Sequence, residues 1–145
     1  MIKKICIFIM ALMCLICLSS CSVLKEMKEE LDVAYTQAED FCIALANDDL
    51  KEAEIYLHSK GIPARQGLST YIQNIERNNN IDFSKGVSFK KRNWEESAYY
   101  NGKYGGGTHM FSLEMSVGKE EVEIYFVFVR KDNEFGIYEF MIIDD

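Results

Sequence analysis

The stretch HMFSLEMSVGKEEVEIYFVFVRKDNEFGIYEFMII, residues 109–143, decides the fold. Its first arm alternates. His109, Phe111, Leu113, Met115 and Val117 leave one side of an extended chain, with Met110, Ser112, Glu114 and Ser116 between them. Successive strand side chains point to opposite faces, so this pattern predicts a strand with one buried face. Gly118-Lys119 turns the chain. Val122 to Arg130 is apolar on both faces, which predicts a central strand. Asp132-Asn133 turns it again into a last strand, Phe135 to Ile143.

Working outward toward the N-terminus, Val87 and Phe89 open a strand that is predicted to reach Tyr100 through Trp94 and Ala98. Its apolar positions step from odd to even near Arg92, which predicts a bulge there. Asn101-Gly102 between aromatic residues predicts a tight hairpin, since a type I′ turn needs positive φ at both central positions. Three tight turns imply a four-stranded antiparallel meander.

Before residue 82 the period is helical. Ala34, Tyr35, Ala38, Phe41, Cys42 and Leu45 form an amphipathic stripe, and Cys42 lies on it as a small core residue. Asp49 to Glu52 reads as a capping box for a second helix that buries Leu50, Ala53, Tyr56 and Leu57. Gly61 and Pro63 break that helix. A third, short helix uses Leu68, Tyr71, Ile72 and Ile75 and stops at Asn78-Asn79-Asn80. Helices followed by strands are the α+β pattern.

The N-terminus carries a different message. Lys3 and Lys4 precede an apolar run from Ile5 to Leu18, followed by Ser19-Ser20-Cys21. Positive charge, a short apolar core and small residues make up a secretory signal. The run is about 14 residues, short of the roughly 20 that a spanning helix needs. Leu18-Ser19-Ser20-Cys21 resembles the bacterial lipobox. That resemblance implies cleavage between Ser20 and Cys21 and a diacylglyceryl thioether on Cys21. Two acyl chains suffice for stable anchoring. Residues 1–20 are therefore expected to be a signal peptide, 21–30 a lipidated tether and 31–145 the folded domain. The protein is expected to sit outside the cytoplasm, on the cell membrane or on the outer membrane of a Gram-negative cell.

Composition narrows the rest. Removing Lys3 and Lys4 from 16 basic residues leaves 14 against 23 acidic ones, a net charge of −9 for the mature chain. Such a chain gains nothing from counterion release on nucleic acid, and anionic headgroups repel it. Cys6, Cys14 and Cys17 leave with the signal, so Cys42 is the single remaining thiol and no internal disulfide can form. The domain must be held by its apolar core.

FCIALANDDLKEAEIYL, residues 41–57, resembles the start of nuclear transport factor 2-like domains, which share the cystatin-like α+β fold. There an aromatic and aliphatic helix face is followed by an acidic link and an Asp-Leu-x-x-Ala start to the next helix. The resemblance implies a curved sheet wrapped around the helices and a conical pocket. The superfamily holds isomerases, dehydratases, carriers and noncatalytic interaction domains, so fold alone does not choose a function.

Candidate chemistry is sparse. His58 falls at the predicted end of the second helix, where a cation opposes the helix dipole. His109 shares the inward set of its strand and is a candidate base at a pocket mouth. Glu139 is the other candidate base, on the condition that the face carrying Phe135, Ile137 and Met141 is concave. No metal-binding motif, glycine-rich phosphate loop or cofactor signature appears. Trp94, Tyr99, Tyr100 and Tyr104 crowd one hairpin, and rings of this kind build interaction surfaces. The expected role is a noncatalytic module that binds a protein or a small apolar ligand. The alternatives are an isomerase or hydro-lyase using Glu139 or His109, and an immunity or inhibitor lipoprotein.

Cys21→Ala is expected to leave an uncleaved precursor lacking the lipid mass increment. A wild-type protein whose mass shows an unmodified, intact N-terminus would contradict the lipobox reading.

Overall fold

A computed structural model describes residues 2–90, 92, 97–102 and 104–143, with side chains from residue 23 onward. Trp94, and the side chains of Ser20 and Cys21, lie outside the described residues. The chain divides into two compact units, Met1–Val33 and Ala34–Asp145. The first is helical, with exposed Val23 and Leu24 and a surface ion pair between Lys25 and Glu29 (3.8 Å). Among the described residues, no helix is long and apolar enough to cross a membrane.

The second unit is α+β: helix first, then an open antiparallel sheet. Helix α1 runs Ile2–Ala46. Within this unit the predicted stripe is its buried face: Ala34, Tyr35, Ala38, Phe41 and Cys42 are fully enclosed. The helix ends in a Schellman motif. Asp48 takes a left-handed φ of 56°, its N–H donates to the Leu45 carbonyl, and the Asp49 N–H donates to that of Ala44. The next residue along caps α2 (Leu50–Glu54): Asp49 Oδ1 accepts the Glu52 N–H at 3.0 Å. The Glu52 carboxylate accepts from the Tyr56 hydroxyl instead of returning to the cap, so half of the expected box forms.

Helix α2 stops at Glu54, short of Tyr56 and Leu57, so Gly61 and Pro63 end no helix. They open α3 (Ile62–Gln66), which the sequence reading missed, because proline fits the first helical turn, where no partner exists for its missing N–H. Helix α4 (Leu68–Asn79) buries Leu68 and Ile72 and closes on left-handed Asn80, as the asparagine run predicts.

The sheet has five strands, not four: β1 (Val87–Phe89), β2 (Ala98–Asn101), β3 (Gly107–Val117), β4 (Glu120–Lys131) and β5 (Glu134–Ile143). The order is β1-β3-β4-β5, with β2 beside β1 on the same edge of β3. The expected long first strand is thus split. Phe89 faces Met115 and Ala98 faces Met110, so nine steps along this edge oppose five along β3. The predicted bulge falls in that interval, mostly outside the described residues. Arg92 within it is drawn off the ladder toward α1. Its guanidinium grips both Glu39 oxygens (2.9 and 2.8 Å), touches Thr36 Oγ1 and stands over the Tyr35 ring. Paired planar hydrogen bonds of this kind fix geometry as well as charge.

Two of the three expected tight turns are present. Asp132 and Asn133 have φ of 54° and 63°, the type I′ turn, and Gly118-Lys119 closes the other two-residue loop. The turn expected at Asn101-Gly102 is longer. Asn101 pairs with Gly107 inside the ladder, and residues 102–106 form the loop. That loop closes hard against β4: a Cβ on Gly106 would fall 2.0 Å from the Arg130 carbonyl oxygen.

A bulge in β5 sets which side chains face inward. Val127 pairs with Glu139 and its neighbour Phe128 with Ile137, leaving Tyr138 as the extra residue. The parity of β5 reverses there. Phe135 and Ile137 before it, and Phe140 and Ile142 after it, share the face that packs on α1, opposite Arg130, Phe128, Phe126 and Ile124 in turn. The core between helix and sheet is aromatic. Tyr35 meets Phe111 (4.0 Å), Phe41 meets Phe140 (5.0 Å) edge-on, and Phe111, Phe126 and Phe140 stack in sequence at 5.8 Å spacing. Such pairs add about 0.5–1.5 kcal/mol each beyond the area they bury.

The segment after α2 covers the free edge of β5. His58 N–H donates to Ile137 O (2.9 Å) and Ile137 N–H to Tyr56 O (2.8 Å), a single parallel bridge at Leu57. Gly136 makes this approach possible. A Cβ there would lie 2.8 Å from His58 N and 2.9 Å from Tyr56 O, backbone atoms that cannot swing aside. Gly136→Ala is expected to destabilise the fold by about 2 kcal/mol or more, lowering the midpoint of thermal unfolding by circular dichroism. An unchanged midpoint would contradict this packing.

Candidate functional site

The register assigns every strand residue to a face. On the outer face, away from α1, successive cross-strand rows hold Tyr100, Thr108 and Val129, then Ala98, Met110, Val127 and Glu139, then Ser112, Tyr125 and Met141. An outer face is ordinarily wet, yet Met110, Val127 and Val129 are buried. Ala98 and the rings of Tyr104, Tyr125 and Tyr138 cover them, forming a second, smaller core. Tyr104 reaches it from the 102–106 loop and lies 5.0 Å from the ring of Tyr138. Tyr138 reaches it because the bulge turns that side chain outward.

The hairpin rings that the sequence groups together are divided by the pleat. Tyr99 lies on the inner face, 4.9 Å from His109, with 37% of its surface exposed. Tyr100 and Tyr104 lie on the outer face, and Tyr100 is half exposed.

His109 shares the inner face with Phe111, Leu113 and Met115, as its alternation predicts. It is buried, with Tyr99 on one side and the Phe135 ring 6.1 Å away on another, and Arg130 lies over that ring. Glu139 leaves the opposite face. The β5 bulge is the physical reason: without it Glu139 would share a face with Ile137. It sits half-buried beside Val127 and Tyr125. His109 and Glu139 therefore stand on two sides of one sheet and do not converge.

His58 does not cap a helix. Helix α2 ends four residues earlier, and the His58 ring is fully buried against β5. Its Nδ1 accepts the Lys60 N–H (3.1 Å) and lies 3.7 Å from the Glu134 carboxylate, while Nε2 has no hydrogen-bond partner among the described residues. The ring stands edge-on to Tyr138 at 5.7 Å. Beside it, the Glu134 carboxylate accepts from the Ser59 hydroxyl (2.7 Å) and the Ser59 amide, and Lys60 pairs with Asp132. Cys42 is enclosed on α1. Burial pushes its thiol well above the usual range, and the Glu39 charge pushes the same way, as for an inert core thiol.

The space between α1 and the sheet, where the resemblance implies a conical pocket, is filled by the stacked rings. The larger grooves are open ones at the β3–β4 turn end. One of about 580 Å³ is lined by Ile81, Lys90, Glu114, Glu121, Val122 and Ile142, with Lys90 paired to Glu121 (2.7 Å) and Glu114 (3.5 Å). A second, of about 590 Å³, lies beside it around Asp82, Lys85 and Gly118. Among the described residues no group of His, Cys, Asp and Glu side chains is placed to hold a metal ion. No protein-family model, no curated protein and no solved structure matches the chain.

The Glu134 carboxyl is held below its ordinary value of 4.5, chiefly by the Ser59 hydroxyl and also by the Ser59 amide and Lys60. A carboxyl depressed in the folded state stabilises it above the ordinary value, and that contribution is lost as pH falls through the folded one. The difference in unfolding midpoint between wild type and Glu134→Gln is therefore expected to be constant from about pH 7 to 5 and to shrink below about 4.5. A constant difference down to pH 3 would contradict the tie.

Proposed function

We propose that this chain is a bacterial lipoprotein, matured and lipidated at Cys21, whose acidic domain stands outside the cytoplasm and binds a protein partner without catalysing a reaction. The supporting observation is the outer sheet face. Tyr104, Tyr125 and Tyr138 cover a small apolar core, and half-exposed Tyr100 lies at its rim. Rings anchored from below and partly exposed bury area on contact at little cost in entropy, which suits a docking surface. The anchor rests on Lys3, Lys4, the apolar run and Leu18-Ser19-Ser20-Cys21.

In finer detail, we infer a nuclear transport factor 2-like arrangement, with the sheet curved around the helices. The order of helices and meander and the residues 41–57 support it. A protein is the favoured ligand over a small apolar molecule because aromatic side chains occupy the interior such a molecule would enter. The enzyme reading is weakened because neither candidate base, His109 or Glu139, lines either open groove. An immunity or inhibitor role is one form of protein binding and stays within this reading.

Tyr100→Ala is the direct test. In-cell crosslinking and mass spectrometry are expected to show about tenfold less captured partner, a typical loss for an interface anchor, with an unchanged unfolding midpoint. Tyr104→Ala should lower the midpoint as well, because it uncovers Val127 and Val129. Capture that is indifferent to Tyr100 would overturn the reading.

A further inference from the structure

Two half-buried carboxylates of the outer face, Glu123 and Glu139, make neither an ion pair nor a hydrogen bond among the described residues, and Glu139 is the one beside the small tyrosine-covered core. Glu114 and Glu121 share Lys90. Glu139 stands between Val127 and Tyr125. Removing a carboxylate from water without a partner is unfavourable, so such a group is poised to receive a cation. Lys131, a cation of the same sheet, donates to the Tyr104 carbonyl (3.4 Å).

What surrounds Glu139 suits a cation. Tyr125 is its diagonal neighbour on β4, and Tyr104 packs on the same small core. Burial raises the Tyr125 hydroxyl, and the charges of Tyr104, Tyr100 and Glu139 raise it further. The Tyr125 ring therefore remains a neutral phenol. Neutral aromatic faces attract ammonium and guanidinium groups, by about 0.5–2 kcal/mol according to desolvation. A carboxylate framed by tyrosines offers a cation both a counter-charge and a ring face.

We propose that Glu139, with Tyr125, Tyr104 and Tyr100, receives a lysine or arginine side chain of the protein partner. The inference rests on the protein-binding reading and names the chemistry of that partner: a segment with a basic anchor, complementary to a mature chain of net charge −9.

The test uses the isotope-labelled full chain in a nonionic detergent, titrated with acetylated, amidated Gly-Arg-Gly, with Gly-Gln-Gly as the neutral control. Saturable NMR shifts are expected at the amides of residues 125, 127 and 139–141 and at the rings of Tyr100 and Tyr104, with the arginine peptide alone. Glu139→Gln should weaken binding at least fivefold. Glu123→Gln, farther along the same face, should change it less than twofold. Tyr125→Phe keeps the ring and should retain binding, whereas Tyr125→Leu should lose it; a cooperative unfolding transition with native-like spectra confirms that each variant folds. Shifts spread evenly over the Glu114–Glu123 end, or binding indifferent to Glu139→Gln, would overturn the proposal. If Glu139→Gln leaves both peptide binding and partner capture intact while Tyr100→Ala abolishes capture, this inference fails and the protein-binding reading stands. If neither variant affects capture, both fail.

Discussion

Phe41 projects from α1 edge-on to Phe140 and Phe126, at 5.0 and 6.4 Å, while Tyr35, six residues earlier on the helix, lies against Phe111. The rest of the domain hangs on this seam. No disulfide contributes, since the only thiol in the folded unit is Cys42, itself part of the buried stripe. The seam requires the long strands β3, β4 and β5 to present rings at matched heights, which the unbroken β3–β4 register and the β5 bulge together achieve. It also uses the interior space. A sheet that stacks Phe111, Phe126, Phe128 and Phe140 over a helix has filled the volume a ligand would need. In the proposed binding role, recognition falls to the outside of the sheet.

The β5 bulge at Tyr138 couples the two faces. One extra residue keeps Ile137 and Phe140 both inward, and the same extra residue turns Tyr138 and Glu139 outward. Tyr138 then touches two structures at once: the His58 ring on one side and Tyr104 on the other. Through the backbone pair between His58 and Ile137, the segment after α2 seals the edge of β5 where the bulge would otherwise leave it open. Bulges often re-aim side chains in this way, and here one inserted residue decides the chemistry of both surfaces.

Much of this was legible in the residues. The stripe from Ala34 to Leu45, the cap at Asp49, the stop at Asn80, the turns at Gly118-Lys119 and Asp132-Asn133 and the central position of β4 all follow from local rules, because each depends on neighbours within a few residues. The failures are non-local. The first strand split because Arg92 found Glu39, 53 positions away in the chain. The hairpin loop lengthened because Gly106 meets the Arg130 carbonyl. His58 reads as a helix cap in the sequence but is none, because α2 stops early and the chain then pairs with β5, 79 positions on. The bulge carried no local signal at all, since Gly136 to Met141 alternates equally well in either register. Val127 and Val129 did signal a second apolar face, but which rings cover it depends on a loop and a bulge that alternation does not encode.

The seam is tested most directly by native-state hydrogen exchange under increasing denaturant. Amides of residues 35–45 in α1 and those of residues 111–115, 124–129 and 137–140 in the sheet should merge into one global unfolding event with the same free energy. A helix segment that exchanges through a separate opening, several kcal/mol below that of the strands, would show that the rings of Tyr35 and Phe41 do not hold helix and sheet together.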